Sequence, residues 1–243
     1  MATNRWNVAE RREDLSRFIV HLTRDDRRDF KNGQSARRNF QSIYRQKVIR
    51  AYQAHCLHRH KLGNVPAHVT RAFNVTCFTE VPLNQIHLLT QPIEGRRTQM
   101  APYGFVFRKN FLVQQGAQPA IYINSYGQNT VVTQAVNRIL GEARSAHFRN
   151  EIWRVLPFVN AMHESYDFTW EREWRIAGAL RFERKDLVCV ILPMAGENQL
   201  KRRLARSGVA VISPGWIYEQ IVSELARQQR RTRQLLRELR AKG

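Results

Sequence analysis

Two carboxylates that could act together, Glu171 and Glu173, stand among tryptophans and arginines between residues 166 and 175. The alternating pattern predicts a strand, on which side chains two residues apart point to the same face. Paired carboxylates beside aromatic rings can form a site in which one acid has a raised pKa and takes part in catalysis. The alternative is a structural strand whose carboxylates form salt bridges with Arg172, Arg175 or other cations.

Cysteine and histidine, which are zinc ligands, cluster in residues 55–60, His-Cys-Leu-His-Arg-His. Their spacing matches no common zinc finger, and the cations Arg59 and Lys61 add repulsion. We therefore expect a basic, partly exposed helix end here and no metal cofactor. The sequence also lacks a Gly-rich phosphate loop, a Gly-x-Ser-x-Gly elbow and a His-Glu-x-x-His helix, which sets those enzyme classes aside.

The chain is strongly basic, with 40 lysines and arginines against 20 acidic residues among 243, a formal net charge of +20. The excess lies in residues 1–71 and 196–243, and most cations are arginines, whose planar fork suits bidentate phosphate contacts. A GC-rich genome would explain the preference for arginine but not the net charge. We expect RNA or DNA as the partner, and an acidic protein or a merely solvated charged face is the alternative. The candidate nucleic-acid-binding residues are Arg37, Arg38, Arg45, Arg50, Arg227, Arg230, Arg231 and Arg233.

The elements that must position these residues follow from the hydropathy pattern. Clusters of β-branched and aromatic residues predict strands, and apolar residues at helical spacing predict helices. Strands are predicted at 18–23, 72–81, 103–107, 120–123, 174–177, 180–182, 187–192 and 209–212. Helices are predicted at 5–17, over about 18 residues from Ser35, at 129–156, at 197–206 and after Ser213-Pro214. The order strand, helix, strand over 187–212 resembles a β-α-β step, and Ser213-Pro214 is typical of a helix N-cap followed by a first-turn proline.

Length and apolar content suffice for a domain with its own core, so we predict an α+β fold with a mixed, split β-sheet. One domain is expected over residues 1–215, with basic N-terminal helices in 1–71 and a β-rich core in 72–195, followed by a basic C-terminal helix over 216–243. Three cysteines, an odd number far apart, favour a reducing compartment over disulfides. No run approaches the ~20 apolar residues of a membrane span, and none is of signal-peptide type. We expect a cytoplasmic protein with no membrane partner.

Three stretches together resemble bacterial AbiGi-like abortive-infection proteins, a phage-resistance family. They are Cys77-Phe78-Thr79-Glu80, Pro102-Tyr103-Gly104-Phe105-Val106-Phe107, and the segment 167–175 with its Glu-x-Glu-Trp-Arg element, the most specific of the three. The resemblance covers roughly residues 15–195. The strand with His21-Leu22-Thr23, ahead of a helix and a Cys-Phe-Thr strand, is further similar to the opening of ADP-ribosyltransferase-like folds.

This resemblance implies a site for NAD. The residues it implicates are His21, Thr23, Arg24, Phe78 and Tyr103 for cofactor binding, and Glu173 with its neighbour Glu171 for catalysis. His21 or Arg24 would anchor the cofactor ribose, and Phe78 or Tyr103 would stack on the nicotinamide. The Glu173 carboxylate would hold a ribose hydroxyl and stabilise the oxocarbenium-like charge that develops as nicotinamide leaves. Packing in the core is the alternative role for His21 and Tyr103.

Three functions compete at this point. The first is a toxin-like phage-defence effector that transfers ADP-ribose from NAD to a nucleic acid. The second is a non-enzymatic nucleic-acid-binding module, or an antitoxin or sensor of an abortive-infection system that meets an acidic toxin through its arginine-rich ends. The third is a nuclease that holds Mg²⁺ with Glu80, Asp167, Glu171 and Glu173. They predict different responses to NAD, to salt and to chelators.

Overall fold

Short strands and helices follow one another along residues 15–26, 33–53, 71–93, 99–124, 130–135, 137–138, 151–162 and 169–241, which the computed structural model describes. The strands are β1 (Phe18–Leu22), β2 (Val48–Ile49), β3 (Tyr52–Gln53), β4 (Asn74–Thr79), β5 (Gly104–Arg108), β6 (Gln118–Pro119), β7 (Ile121–Asn124), β8 (Val159–Met162), β9 (Glu173–Ala177), β10 (Leu180–Arg181), β11 (Leu187–Ile191) and β12 (Val211–Ile212). The α-helices are α1 (Ala36–Gln46), α2 (Ile86–Thr90), α3 (Lys109–Gln114), α4 (Ile152–Val155), α5 (Asn198–Arg206) and α6 (Tyr218–Ala241). Single 3₁₀ turns lie at Leu83–Gln85, Leu156–Phe158, Thr169–Glu171 and Arg184–Asp186. These elements divide between two compact units.

The first unit takes its described residues from Met1–Gln46, Glu80–Phe111 and Glu183–Gly243. Its strands lie in the order β12, β11, β5, β1. β11 and β12 are parallel, as a crossover through α5 requires, whereas β5 is antiparallel to both β11 and β1. The sheet of this unit is therefore mixed.

Helices cover both faces of that sheet. Successive residues of a strand point to opposite faces, and Phe105 and Val106 of β5 are both fully buried. The ring of Phe40 in α1 stacks on Phe105 with centroids 4.7 Å apart. Ile221 of α6 belongs instead to the apolar cluster that contains Val106. Thus α1 and α6 pack on opposite faces, which explains why the central strands read as continuous apolar runs.

The second unit takes its described residues from Lys47–Thr79 and Leu112–Phe182. β3, β4, β9 and β6 lie side by side in that order, each antiparallel to its neighbour. β2 pairs with β10, and β7 runs parallel to β8. Its buried side chains include Val75, Phe78 and Ile176 on the central strand pair.

The α+β class and the mixed sheet are confirmed, and the predicted strands are observed close to their predicted bounds. The helix expected from Ser35 over about 18 residues is too long, because it ends at Gln46. Lys47 adopts a left-handed conformation with φ 57°, and the β-branched pair Val48–Ile49 forms β2 against β10. The apolar residues that extended the helical pattern therefore belong to a strand.

The β-α-β step near the C-terminus is confirmed, but the predicted start of the last helix is wrong. The Ser213 hydroxyl is buried and donates to the Leu192 carbonyl at 3.0 Å instead of capping a helix. The Trp216 amide donates to the Ser213 carbonyl at 3.0 Å, which closes a turn through Pro214, and α6 begins only at Tyr218. Ser213 thus ties together the loops that follow β11 and β12.

Two of the predicted helices lie partly outside the residues that the structure describes. Most of the predicted helix at 5–17 lies outside the described residues, and residues 15–17 are not helical. Of the helix predicted at 129–156, residues 131–135, 137–138 and 152–155 are helical, while 139–150 lie outside. The expectation of one domain over 1–215 stays a prediction beside the two units. None of the described helices is both long and apolar enough to cross a membrane.

Candidate functional site

Two neighbouring helices of the first unit, α1 and α5, concentrate positive charge. Arg37 at the start of α1 binds Glu197, which directly precedes α5, with Nε–Oε1 at 2.6 Å and Nη2–Oε2 at 3.2 Å. Towards the other ends, the Tyr44 and Ser207 hydroxyls are 2.9 Å apart. Because contacts join both the starts and the ends, the two helices lie side by side and run in the same direction.

Each of these helices is held by a few apolar side chains and turns its cations outward. α1 buries Ala36 and Phe40, four residues apart, and α5 buries Leu200 and Leu204 at the same spacing. α1 contains three cations and α5 contains four, and neither helix contains an acidic residue. We call this surface the cationic helix pair: Arg37, Arg38 and Arg45 of α1 with Lys201, Arg202, Arg203 and Arg206 of α5.

Most cations of the cationic helix pair are open to an outside partner. Six of them are exposed, and five of these six pair with no described acidic side chain. Those five are Arg38, Arg45, Arg202, Arg203 and Arg206. Lys201 Nζ donates to the Met194 carbonyl at 2.7 Å, which fixes the loop before α5. Exposed guanidinium groups of this kind suit the paired oxygens of a phosphate.

Glu197, the acid that joins the two helices, is itself only 6% exposed. Its Oε1 accepts hydrogen bonds from Arg37 Nε at 2.6 Å and from the Tyr103 hydroxyl at 2.9 Å. The hydrogen bond from Arg37 lowers the pKa of Glu197 against the opposing effect of burial. Burial, together with the same carboxylate, raises the pKa of Tyr103 to about 12. The negative charge of Glu197 is thus neutralised within the unit and detracts little from the positive surface.

The other arginines predicted to bind nucleic acid lie outside α1 and α5, in the second unit and on α6. Arg50 is exposed in the second unit. On α6, Arg230 and Arg233 are exposed, whereas Arg227 makes two hydrogen bonds of 2.8 Å to Glu224. The side chain of Arg231 lies outside the described residues.

Four of the predicted NAD-binding residues lie in the first unit. Thr23 is buried, and its hydroxyl lies 2.9 Å from the Ala36 carbonyl and 3.2 Å from the Tyr103 carbonyl. These contacts join the end of β1 to the start of α1 and to the residue before β5. His21 is half-buried and Arg24 is exposed. The structure therefore brings Thr23 and Tyr103 together, and a role for any of the four in binding NAD stays a prediction.

The predicted catalytic carboxylates lie in the second unit, and the prediction that they share one strand face is wrong. Glu171 ends a 3₁₀ turn, Arg172 is left-handed with φ 46°, and β9 begins only at Glu173. The third predicted residue of this unit, Phe78, is 2% exposed and lies next to Thr79, which pairs with Glu173 across β4 and β9. The structure brings Phe78 near Glu173 but buries its ring.

The salt-bridge alternative is confirmed for Glu173, whose Oε2 lies 2.7 Å from Nη2 of Arg175. Arg175 is only 1% exposed, and its Nη1 donates to the Pro157 carbonyl at 2.7 Å. Burial lowers the pKa of Arg175, but the Glu173 carboxylate outweighs it, so the net pKa is raised. Burial first, and then the charges of Glu173 and Glu171, raise the pKa of Tyr122. Four side chains of the second unit, two buried and two half-buried, thus interact electrostatically: Glu171 and Arg175 with Tyr122 and Glu173.

No group of histidine, cysteine or acidic side chains among the described residues is arranged to hold a metal ion. The stretch 55–60 and Asp167 lie outside those residues. Glu80, another proposed Mg²⁺ ligand, forms a salt bridge of 2.6 Å with Lys109 in the first unit. The nuclease hypothesis stays a prediction.

Sequence reasoning missed the cations of α5, although residues 196–243 were recognised as basic. The signal was present, since a helix with Leu200 and Leu204 facing inward must turn Lys201, Arg202 and Arg206 towards other sides. It also missed Glu197 as the residue that joins α1 to α5. Glu197 and its partner in α1 are 160 positions apart in the sequence, so no local pattern predicts their contact.

No protein-family model matches this chain, nor does any curated protein or solved structure. The resemblance to AbiGi-like proteins and to ADP-ribosyltransferase-like folds stays a prediction.

Proposed function

We propose that this protein binds nucleic acid through the cationic helix pair. The observation that carries the proposal is the side-by-side packing of α1 and α5, which presents five exposed cations that pair with no described acid, on two helices that contain no acidic residue. Phosphate contacts supply most of the affinity in sequence-independent binding, and they need clustered, unpaired cations.

The arrangement of α5 suits a polyanion that follows the helix. Arg202 and Arg206 are one turn apart, about 6 Å along the axis, and so lie on the same side. Arg203 is exposed beside them. The salt bridge with Arg37 holds the buried Glu197 carboxylate away from that side. An acidic protein, such as an antitoxin or a toxin of a two-gene system, is the competing occupant of these arginines.

The test measures fluorescence anisotropy of labelled single-stranded and double-stranded RNA and DNA as salt is raised. The substitutions Arg202→Gln, Arg203→Gln and Arg206→Gln are combined in one variant. A matched control carries Arg71→Gln, Arg154→Gln and Arg181→Gln, three exposed arginines of the second unit. The proposal expects salt-sensitive binding that the α5 variant weakens much more than the control. Absence of binding at low salt, or equal weakening by both variants, would overturn it.

ADP-ribosyl transfer from NAD to the bound nucleic acid is a second proposal, under which the protein is a toxin-like effector of phage defence. What supports it is the sequence resemblance together with two mostly buried carboxylates, Glu171 and Glu173, that both act on Tyr122. Arg175 holds the Glu173 carboxylate in one orientation. We place it second because that same salt bridge gives Glu173 a structural role.

Incubation with labelled NAD and RNA or DNA tests this second proposal. Glu173→Gln, which keeps the shape of the side chain, is compared with wild type after circular dichroism has shown that both are folded. Label transfer by wild type that is lost in folded Glu173→Gln supports the proposal. No transfer to any nucleic acid, or transfer that survives the substitution, contradicts it.

A further inference from the structure

An open cavity of about 460 Å³ lies in the first unit between the segment that follows β12, residues 215–219, and the turn and helix at residues 84–87. Its lining combines two aromatic rings and an imidazole, those of Trp216, Tyr218 and His87, with the polar side chains of Asn84 and Glu219. The volume is within the range of small-molecule sites, roughly 300–1,000 Å³. Trp216 packs against the apolar core, whereas Tyr218 is 66% exposed. One ring is therefore fixed, and the other is free to meet a ligand.

The connections that follow the parallel strands β11 and β12 leave the sheet on opposite faces, and the cavity adjoins the second of them through residues 215–219. From β11 the chain enters α5, which lies beside α1, and α1 packs on the Phe105 face. From β12 it enters α6, whose Ile221 packs on the Val106 face. A crevice opens at the carboxyl ends of strands whose connections diverge in this way, and ligands bind there in open sheets.

A chain of contacts connects this cavity to the cationic helix pair. Lys201 of α5 donates to the Met194 carbonyl at 2.7 Å. The methyl group of Met194 in turn lies 3.7 Å from the position that a Cβ would take at Gly215 on the cavity wall. The loop that precedes α5 therefore borders the cavity wall.

We infer that the cavity accepts one unpaired base of a single-stranded nucleic acid whose phosphates lie on α5, an inference that rests on the proposed function. Aromatic side chains and histidine stack on bases that are free of a duplex, and the contact tolerates every base. The amide of Asn84 and the carboxylate of Glu219 offer hydrogen-bonding groups to a base edge. The negative charge of Glu219 repels a phosphate, so the uncharged base is the part of the strand that this site favours.

Tyr218→Ala provides the test, because Tyr218 is exposed and its removal leaves the core intact. Val222→Ala is the matched control, an apolar side chain of the same helix that is 42% exposed and outside the cavity lining. Loss of one base–aromatic stack should weaken binding of a single-stranded oligonucleotide by about 5- to 150-fold. Binding of a duplex of the same length should not change, and Val222→Ala should behave as wild type on both.

A single-stranded oligonucleotide with 2-aminopurine reports the stacking directly. Wild type should quench its fluorescence, and Tyr218→Ala should quench it much less. If Tyr218→Ala binds and quenches as wild type does while the α5 variant is weakened, the cavity assignment is overturned and the proposed function stands. Equal weakening of duplex and single-strand binding by Tyr218→Ala would also overturn the assignment. If wild type binds no oligonucleotide, the proposed function fails first.

Discussion

Replacing Arg202, Arg203 and Arg206 with glutamine should change the salt dependence of nucleic-acid binding by an amount that can be worked out beforehand. All three side chains are exposed and none pairs with a described acidic residue. Each cation that neutralises a phosphate of duplex DNA contributes about 0.9 to the slope of log K against log salt. Three lost contacts therefore flatten the slope by about 2.7. As salt is raised from about 50 to 200 mM, the affinity of both proteins falls. The factor by which it falls should be about 40 times smaller for the variant than for wild type.

Fluorescence anisotropy at a series of salt concentrations gives the two slopes. Glutamine has a helix propensity close to that of arginine, so circular dichroism should show that α5 remains folded. The triple variant at Arg71, Arg154 and Arg181 removes the same charge from the second unit. It should flatten the slope by less than the value of about 0.9 expected for one lost phosphate contact. A variant slope equal to that of wild type, or the same flattening in the control, would refute the assignment of phosphate contacts to α5.

The structure makes three further predictions. Gly104→Ala should destabilise the first unit by about 1–3 kcal/mol in chemical denaturation, because the new Cβ would lie 2.7 Å from the His21 carbonyl oxygen. The pKa of Glu197 is lowered in the folded state, so its stabilising effect is complete above the ordinary glutamate pKa of about 4.3 and is lost as the pH falls below it. Acid titration of unfolding should therefore show a smaller loss of stability for Glu197→Gln than for wild type, and equal losses would contradict the assigned pKa. Removal of the Glu173 carboxylate leaves the charge of Arg175 buried, so Glu173→Ala should cost about 3–5 kcal/mol in thermal or chemical unfolding, and an unchanged midpoint would speak against the salt bridge.

The parts of the fold that local pattern determines were predictable. The continuous apolar run at 187–192 and the helix after it identified the β-α-β step, because a strand buried on both faces has no polar alternation. The end of α1 was not predictable in the same way. Val48 and Ile49 continue the helical spacing of apolar residues, and only their pairing with β10 and the left-handed Lys47 place them in a strand.

The candidate site was less accessible to sequence reasoning, because long-range contacts decide it. The alternating residues around Glu173 indicated a strand, but the left-handed Arg172 separates Glu171 from it. The presence of cations was evident from composition. Their gathering on two adjacent helices depends on Glu197 and Arg37, which no local pattern connects.

The central claim is that α1 and α5 contact nucleic acid, and photo-crosslinking tests it most directly. Wild type would be irradiated with a single-stranded oligonucleotide that carries 4-thiouridine, and the crosslinked peptides would be identified by mass spectrometry at low and high salt. Crosslinks should fall in residues 36–46 and 198–206 and, through the base held in the cavity, in residues 215–219, and they should disappear at high salt. Crosslinks confined to the exposed arginines of the second unit, with none on either helix, would contradict the claim.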